Sequence, residues 1–262
     1  MKQKDTEKDL TASTKNHIIN TISIVLREAT RDGINHNVGQ IRRFKLTGKK
    51  KDIFTQEEYT KLFPKDRKEL IKIWAGVRDN PDDGFIWAAY MALMLSGGLR
   101  PGEARALHVD QIYDKGVYID KQLDAAKLIA LPKKGTENNP RDRIVALPEY
   151  TIELLKECVS IYDAKSYVFI YHGKPIERSI SSRRLRDACT RAKIEIEGKY
   201  IVAYSMRYTY RSRMNNILPR ATLMQFMGHS DGSVHDGYLK VIPEEQFQQI
   251  PKRVYAGINE FW

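Results

Sequence analysis

The run Phe85-Ile-Trp-Ala-Ala-Tyr-Met-Ala-Leu-Met-Leu95 contains no charged or strongly polar side chain and stops at Gly97-Gly98. A helix that crosses a bilayer needs about 20 such residues, so this segment is too short to span one. An apolar stretch of this length that ends on glycines is instead expected to form a buried core helix. The chain is long enough for one large domain with a small appendage, and its apolar content is that of a packed globular protein. Immediately after the glycines comes Leu99-Arg100-Pro-Gly-Glu103. Proline suits the first position of a helix, so a new helix is predicted to begin at Pro101 with Arg100 at its entrance.

Short β-prone stretches follow at 109–113, 117–120, 127–131 and 143–147, separated by Asp-Lys-Gly and Lys-Gly-Thr-Glu-Asn-Asn-Pro turns. From Pro148 onward helix signals dominate, at 149–159, 179–192, 205–215 and 221–227. The expected fold is therefore mainly α with a small antiparallel sheet, an α+β class. Upstream, Thr55-Gln-Glu-Glu58 has the form of a capping box, with Phe54 and Tyr59 placed for a hydrophobic staple, and marks the start of the main domain. Ile18, Ile22, Val25, Leu26 and Ala29 recur at a helical period before Gly33, giving one amphipathic helix within residues 1–39. Residues 40–53 include Arg42, Arg43, Lys49, Lys50 and Lys51 and are expected to form a basic linker, with the main domain and its tail at 54–262.

The 44 Lys and Arg residues against 33 Asp and Glu give a net charge of +11, which points to a polyanionic partner, nucleic acid before others. Cys158 and Cys189 lack Cys-x-x-Cys spacing and are expected to be reduced structural thiols, with no metal site signalled. No apolar core follows the charged residues Met1–Lys8, which argues against a signal peptide and for a cytoplasmic protein that does not enter the membrane.

Two segments carry chemistry. One is Arg100 with Glu103 three residues on; the other is Tyr204-Ser-Met-Arg207, Leu223-Met-Gln-Phe-Met-Gly-His229 and Tyr238. An arginine fork can bind two phosphate oxygens, a histidine can donate to a third atom, and a tyrosine oxygen can attack phosphorus. Tyr208, Tyr210 and Tyr255 compete with Tyr238 for the nucleophile's role, and His235 fits a surface or packing residue.

These motifs, in their order and spacing, resemble those of the tyrosine recombinases, the phage-integrase family of site-specific DNA recombinases. The resemblance covers residues from about 54 to 238. It implies that Arg100, in an Arg-x-x-Glu setting with Glu103 in support, and Arg207 are the two clamp arginines. It makes Gly228-His229 the Gly-His pair and Tyr238 the nucleophile. The family's hairpin lysine falls on Lys133 or Lys134 in Leu131-Pro-Lys-Lys134-Gly, with Lys134 preferred. The sequence departs from the family at Tyr204, which stands where histidine, or less often lysine, is usual; a phenol donates a hydrogen bond but is a poor base near neutrality.

The same resemblance makes residues 1–39 the last part of a helical core-binding domain, a truncated form being preferred to a naturally short one. It implies cutting and rejoining of double-stranded DNA through a 3′-phosphotyrosyl intermediate, with no cofactor, ATP or metal. It also implies a homotetramer on paired sites, accessory DNA-bending or directionality factors, and a nucleoid-associated protein of prokaryotic, phage or mobile-element origin. The alternatives are a DNA-binding protein of the same fold with weak cleavage, prompted by Tyr204, and a type IB topoisomerase or telomere resolvase.

Overall fold

The structure, a computed structural model, describes residues 10–36, 38–39, 41–46, 51–76, 83–123, 129–130, 142–228, 245, 247–248 and 250–260. The chain divides into two compact units, Met1–Lys50 and Lys51–Trp262.

In the first unit, helix α1 (Ala12–Arg31) starts at Thr11, whose side chain accepts the Thr14 amide, and ends at Asp32, with Gly33 at φ +77°. The following segment folds back along it. Asn16 exchanges two 2.8 Å hydrogen bonds with the backbone of Phe44, and His36 Nε2 lies 2.9 Å from the Leu26 carbonyl. Only Ile19 of the helix is buried, while Ile18, Ile22 and Val25 are exposed.

The second unit opens on α2 (Gln56–Leu62), whose capping box is complete: Thr55 accepts the Glu58 amide and Glu58 accepts the Thr55 amide. Helices α3 (Arg67–Trp74) and α4 (Asp83–Gly97) follow. Every residue of α4 from Gly84 to Gly97 is buried, as the apolar run Phe85–Leu95 requires. The α5 helix (Pro101–Arg105) begins on Pro101. Beyond the small sheet lie α6 (Glu149–Ile161), α7 (Arg178–Arg191), α8 (Tyr204–Met214), α9 (Arg220–Phe226) and α10 (Lys252–Asn259). Helices α3, α6 and α8 pack on α4, so it forms the axis of the core. Cys158 on α6 and Cys189 on α7 are free and buried, and burial pushes both thiols up to about 12.

The sheet is antiparallel, in the order β1 (Ile112–Tyr113), β2 (Gly116–Ile119), β5 (Arg143–Ala146). A separate pair joins β3 (Gln122–Leu123) to β4 (Ile129–Ala130). The architecture is thus mainly helical with small antiparallel sheets. Helices α3 and α10 and strand β3 lie outside the segments that the sequence reading marks, and two further details differ from it. Residues Val109–Gln111 form a 3-10 turn rather than strand, because the Gln111 side chain turns back to accept the His108 amide (2.9 Å) and donates to Asp120 (2.6 Å). A hairpin of β6 (Ile170–Tyr171) and β7 (Lys174–Pro175) was not anticipated; its turn holds His172 and Gly173, both at positive φ, as a two-residue primed turn requires.

Candidate active site

Glu103 is the centre of the site. It lies on α5, is fully buried, and meets three guanidinium groups. From one helical turn away, Arg100 donates its backbone N–H to Oε2 (2.8 Å) and its Nη1 to Oε1 (2.6 Å), which fixes the helix start and the arginine in one arrangement. From the first residue of β5, Arg143 donates Nη2 to Oε2 at 2.8 Å, with Nη1 3.4 Å from Oε1. From α8, Arg207 brings Nη1 to 3.9 Å from Oε2.

The same three side chains grip the end of α9. The Phe226 carbonyl accepts from Arg143 Nε at 2.7 Å, the Met227 carbonyl from Arg207 Nη2 at 2.7 Å, and the Gly228 carbonyl from Arg100 Nη2 at 3.4 Å. The last carbonyls of a helix have no partner within it and carry its negative pole, so three cations are well matched to them. Arg207 also donates to the carbonyl of Gly98. Gly98 adopts φ +61°, and a Cβ there would overlap the ring of Tyr210, which explains the glycine break that the sequence places before Arg100.

Electrostatics follow from this geometry. Burial works to raise the Glu103 carboxyl, but the charge and hydrogen bond of Arg143, then Arg100, outweigh it and hold the group at about 2. Burial pushes Arg207 down to about 10; Glu103 favours its charge, while Arg100 and Arg143 oppose it. Among the described residues one carboxylate therefore serves three arginines, and the cluster carries a positive surplus. Arg143 and Arg207 are 5% and 4% exposed, so that surplus is largely screened from water. A site of this kind is suited to an anion with several oxygens.

Of the residues singled out in the sequence, Arg100, Glu103 and Arg207 come together here. Tyr204 begins α8, the helix of Arg207, and is half-buried; the Lys51 ammonium lies 4.9 Å from its ring centroid and 5.3 Å from that of Tyr208. Arg42 and Arg43 are exposed in the first unit and line an open groove with Arg27 and His36. His229, Tyr238, Lys133, Lys134, Lys49, Lys50 and His235 lie outside the described residues. Among the rival tyrosines, Tyr210 is fully buried, Tyr255 donates to the Lys115 carbonyl (3.3 Å), and Tyr208 is 38% exposed. Arg143 is the member that sequence reasoning missed; its one signal is a lone charge opening the otherwise apolar strand Arg143–Ala146. No group of His, Cys, Asp and Glu able to hold a metal occurs among the described residues, and none of their helices is long and apolar enough to cross a membrane.

Residues 61–245 match the profile described as "Phage integrase family". The chain belongs to that family. A protein from Thermosipho africanus (strain TCF52B), named a tyrosine recombinase, is 26% identical over 113 residues, which are 43% of this chain and 39% of that protein. The match thus spans well under half of the curated relative. Among solved structures, the Tn1549 transposon integrase in complex with a circular intermediate DNA superposes with a TM-score of 0.66 at 16% identity, over 86% of this chain and 74% of the other. A lambda integrase dimer bound to a COC′ core site gives 0.57 at 18% identity, over 88% and 76%. At these identities the two integrases share the fold of this family member.

Proposed function

We propose that this chain is a site-specific DNA recombinase of the tyrosine type. The Tyr238 oxygen attacks a DNA phosphodiester, a 3′-phosphotyrosyl bond forms, and the bond to the 5′-oxygen breaks, with the hairpin lysine (Lys134 or Lys133) giving that oxygen its proton. The 5′-hydroxyl of a partner strand then attacks the phosphotyrosyl bond and returns the tyrosine. Phosphodiester is exchanged for phosphodiester, so the cycle needs no ATP. Arg100 and Arg207, with His229, face the charge that builds on the non-bridging oxygens, where preorganised donors act most strongly. Glu103 orients both arginines, and Tyr204 donates a hydrogen bond where relatives use histidine.

The observation that carries this reading is the buried cluster of three guanidinium groups on one carboxylate, attached to the carbonyls that directly precede His229. A surplus of buried cations is costly unless an anion arrives to share it, and a phosphodiester is such an anion. On this reading residues 1–39 are part of a core-binding domain, residues 40–53 a linker whose Arg42, Arg43 and Lys49–Lys51 follow DNA phosphates, and residues 54–262 the catalytic domain. The partner is double-stranded DNA and the working assembly a homotetramer on paired sites, as in the lambda integrase tetramer bound to a Holliday junction that shares the fold.

The decisive experiment uses nicked suicide duplexes tiled across the DNA that flanks the encoding gene, resolved on denaturing gels. The wild-type chain should form a covalent adduct that maps to Tyr238, and Tyr238→Phe should bind the same duplex without forming one. Binding with no adduct from the wild type would instead identify a DNA-binding module, and supercoil relaxation or hairpin formation without strand exchange a topoisomerase or resolvase.

A further inference from the structure

Arg143 has no part in the chemistry described above, yet it joins the carboxylate hub to the end of α9. Its three guanidinium nitrogens are all engaged: Nη2 with Glu103 Oε2, Nη1 toward Oε1, and Nε with the Phe226 carbonyl. All three nitrogens are thus held by protein groups, and the side chain is 5% exposed. It links three segments that adjoin proposed reactive groups. It opens β5, the strand that returns from the segment with Lys133 and Lys134. Through Glu103 it fixes the start of α5, where Arg100 stands, and through Phe226 it holds the end of α9, which leads into Gly228 and His229.

Gly228 records the tightness of this packing. It adopts φ +60°, and a Cβ built on it would lie 2.9 Å from both Cζ and Nη1 of Arg143. The glycine of the Gly-His pair therefore has a physical reason: the backbone must pass against the face of this guanidinium to bring the Gly228 carbonyl to Arg100.

We propose that Arg143 is a positioning residue for strand cleavage, one that shares Glu103 and locks the α9 end so that Arg100 and Arg207 keep their geometry and the cluster keeps its positive surplus for the phosphate. Without Arg143, the carboxylate would draw Arg207 in as its second partner, and the clamp would lose charge and aim together. The requirement is for the planar fork; a lysine ammonium at the same place is a point charge and cannot reach two carboxylate oxygens and the Phe226 carbonyl at once. The inference rests on the proposed cleavage function.

The test compares wild type, Tyr238→Phe and Arg143→Lys on the suicide duplex that the wild type cleaves, made with an ordinary scissile phosphodiester or with a neutral methylphosphonate. Misplacement of reacting groups by about 1 Å can cost about 10²-fold, so Arg143→Lys should lose about that much on the phosphodiester while binding the duplex unchanged. On the methylphosphonate, which lacks the charge the arginines stabilise, the loss should largely disappear. Equal losses on the two substrates would reduce Arg143 to a purely structural role, and full activity on both would remove even that. If Arg143→Lys does not fold, Gly228→Ala displaces the same guanidinium from the other side and should give the same substrate dependence, with the same outcomes overturning the idea. If the wild type cleaves no duplex, the cleavage function itself fails. The positioning role then stands or falls on whether inorganic phosphate raises the melting temperature of the wild type but not of the variant; an equal rise in both would overturn it.

Discussion

Arg207 and Arg211 stand one turn apart on α8, yet they belong to different physical worlds. Arg207 is buried, shares Glu103 with Arg100 and Arg143, and is tied to two backbone carbonyls. Arg211 is exposed, as are Arg42 and Arg43 in the first unit. All contribute equally to the net charge, but only the buried set is preorganised. Exposed guanidiniums are solvated and salt-screened, which suits sequence-independent attraction to a polyanion; buried ones cannot relax and can stabilise charge at one point. One residue type thus stands in two electrostatic environments in the same chain, separated by burial alone.

The sharpest way to break this comparison is Glu103→Gln. Removing one partner of a buried ion pair typically costs about 3–5 kcal/mol, and here three cations lose their shared anion at once. A folded-state pKa of about 2 against an ordinary 4.5 corresponds to about 3 kcal/mol of stability. Because the folded value is depressed, that contribution is complete above pH 4.5 and is lost as the pH falls toward 2. Urea unfolding should therefore show a large gap between Glu103→Gln and wild type at pH 7 that closes through this acid window. A gap that does not change with pH would mean that the carboxylate charge is not the stabilising element.

Next in size is the contrast on α8 itself. Loss of a preorganised charge-stabilising donor costs about 10²–10³-fold in rate, so Arg207→Ala should reduce covalent adduct formation by that order, whereas Arg211→Ala should leave the single-turnover rate unchanged. Equal defects would erase the distinction between buried and solvated arginine.

For the exposed set, the double variant Arg42→Ala/Arg43→Ala should leave thermal stability within about 0.5 kcal/mol of wild type, since neither side chain is buried. If both follow phosphates, the slope of log K against log salt for duplex binding should fall by about 1.8 in magnitude, about 0.9 per contact. An unchanged slope in salt titrations would detach these residues from DNA.

The smallest effect is expected at Tyr204. Tyr204→His should preserve or modestly raise the cleavage rate, because imidazole both donates to phosphate and exchanges a proton near neutral pH, while Tyr204→Phe should be modestly impaired. A severe loss in a folded Tyr204→His variant would show that the phenol, lodged beside Lys51, has a dedicated task.

Much of this protein was written in short stretches of sequence. The capping box at Thr55 and Glu58, the helix start at Pro101, the stop at Gly33 and the apolar run of α4 each depend on residues a few positions apart, and each is legible for that reason. The family, too, was legible, because its motifs are local strings around Arg100 and Arg207. At Val109–Gln111 the string is β-prone and the chain forms a 3-10 turn instead, because a single side chain, Gln111, accepts the His108 amide. What only the tertiary structure decided is the electrostatic centre. Glu103 looked like a helix-start partner of Arg100, and becomes the hub of three arginines only when β5, 40 residues later, and α8 converge on it. Arg143 could not be told from any strand-edge charge until packing buried it against Glu103 and Gly228. Local propensity acts through neighbours in the chain and so is written in order. Burial of charge depends on which distant groups share the same volume, and only the folded chain brings them there.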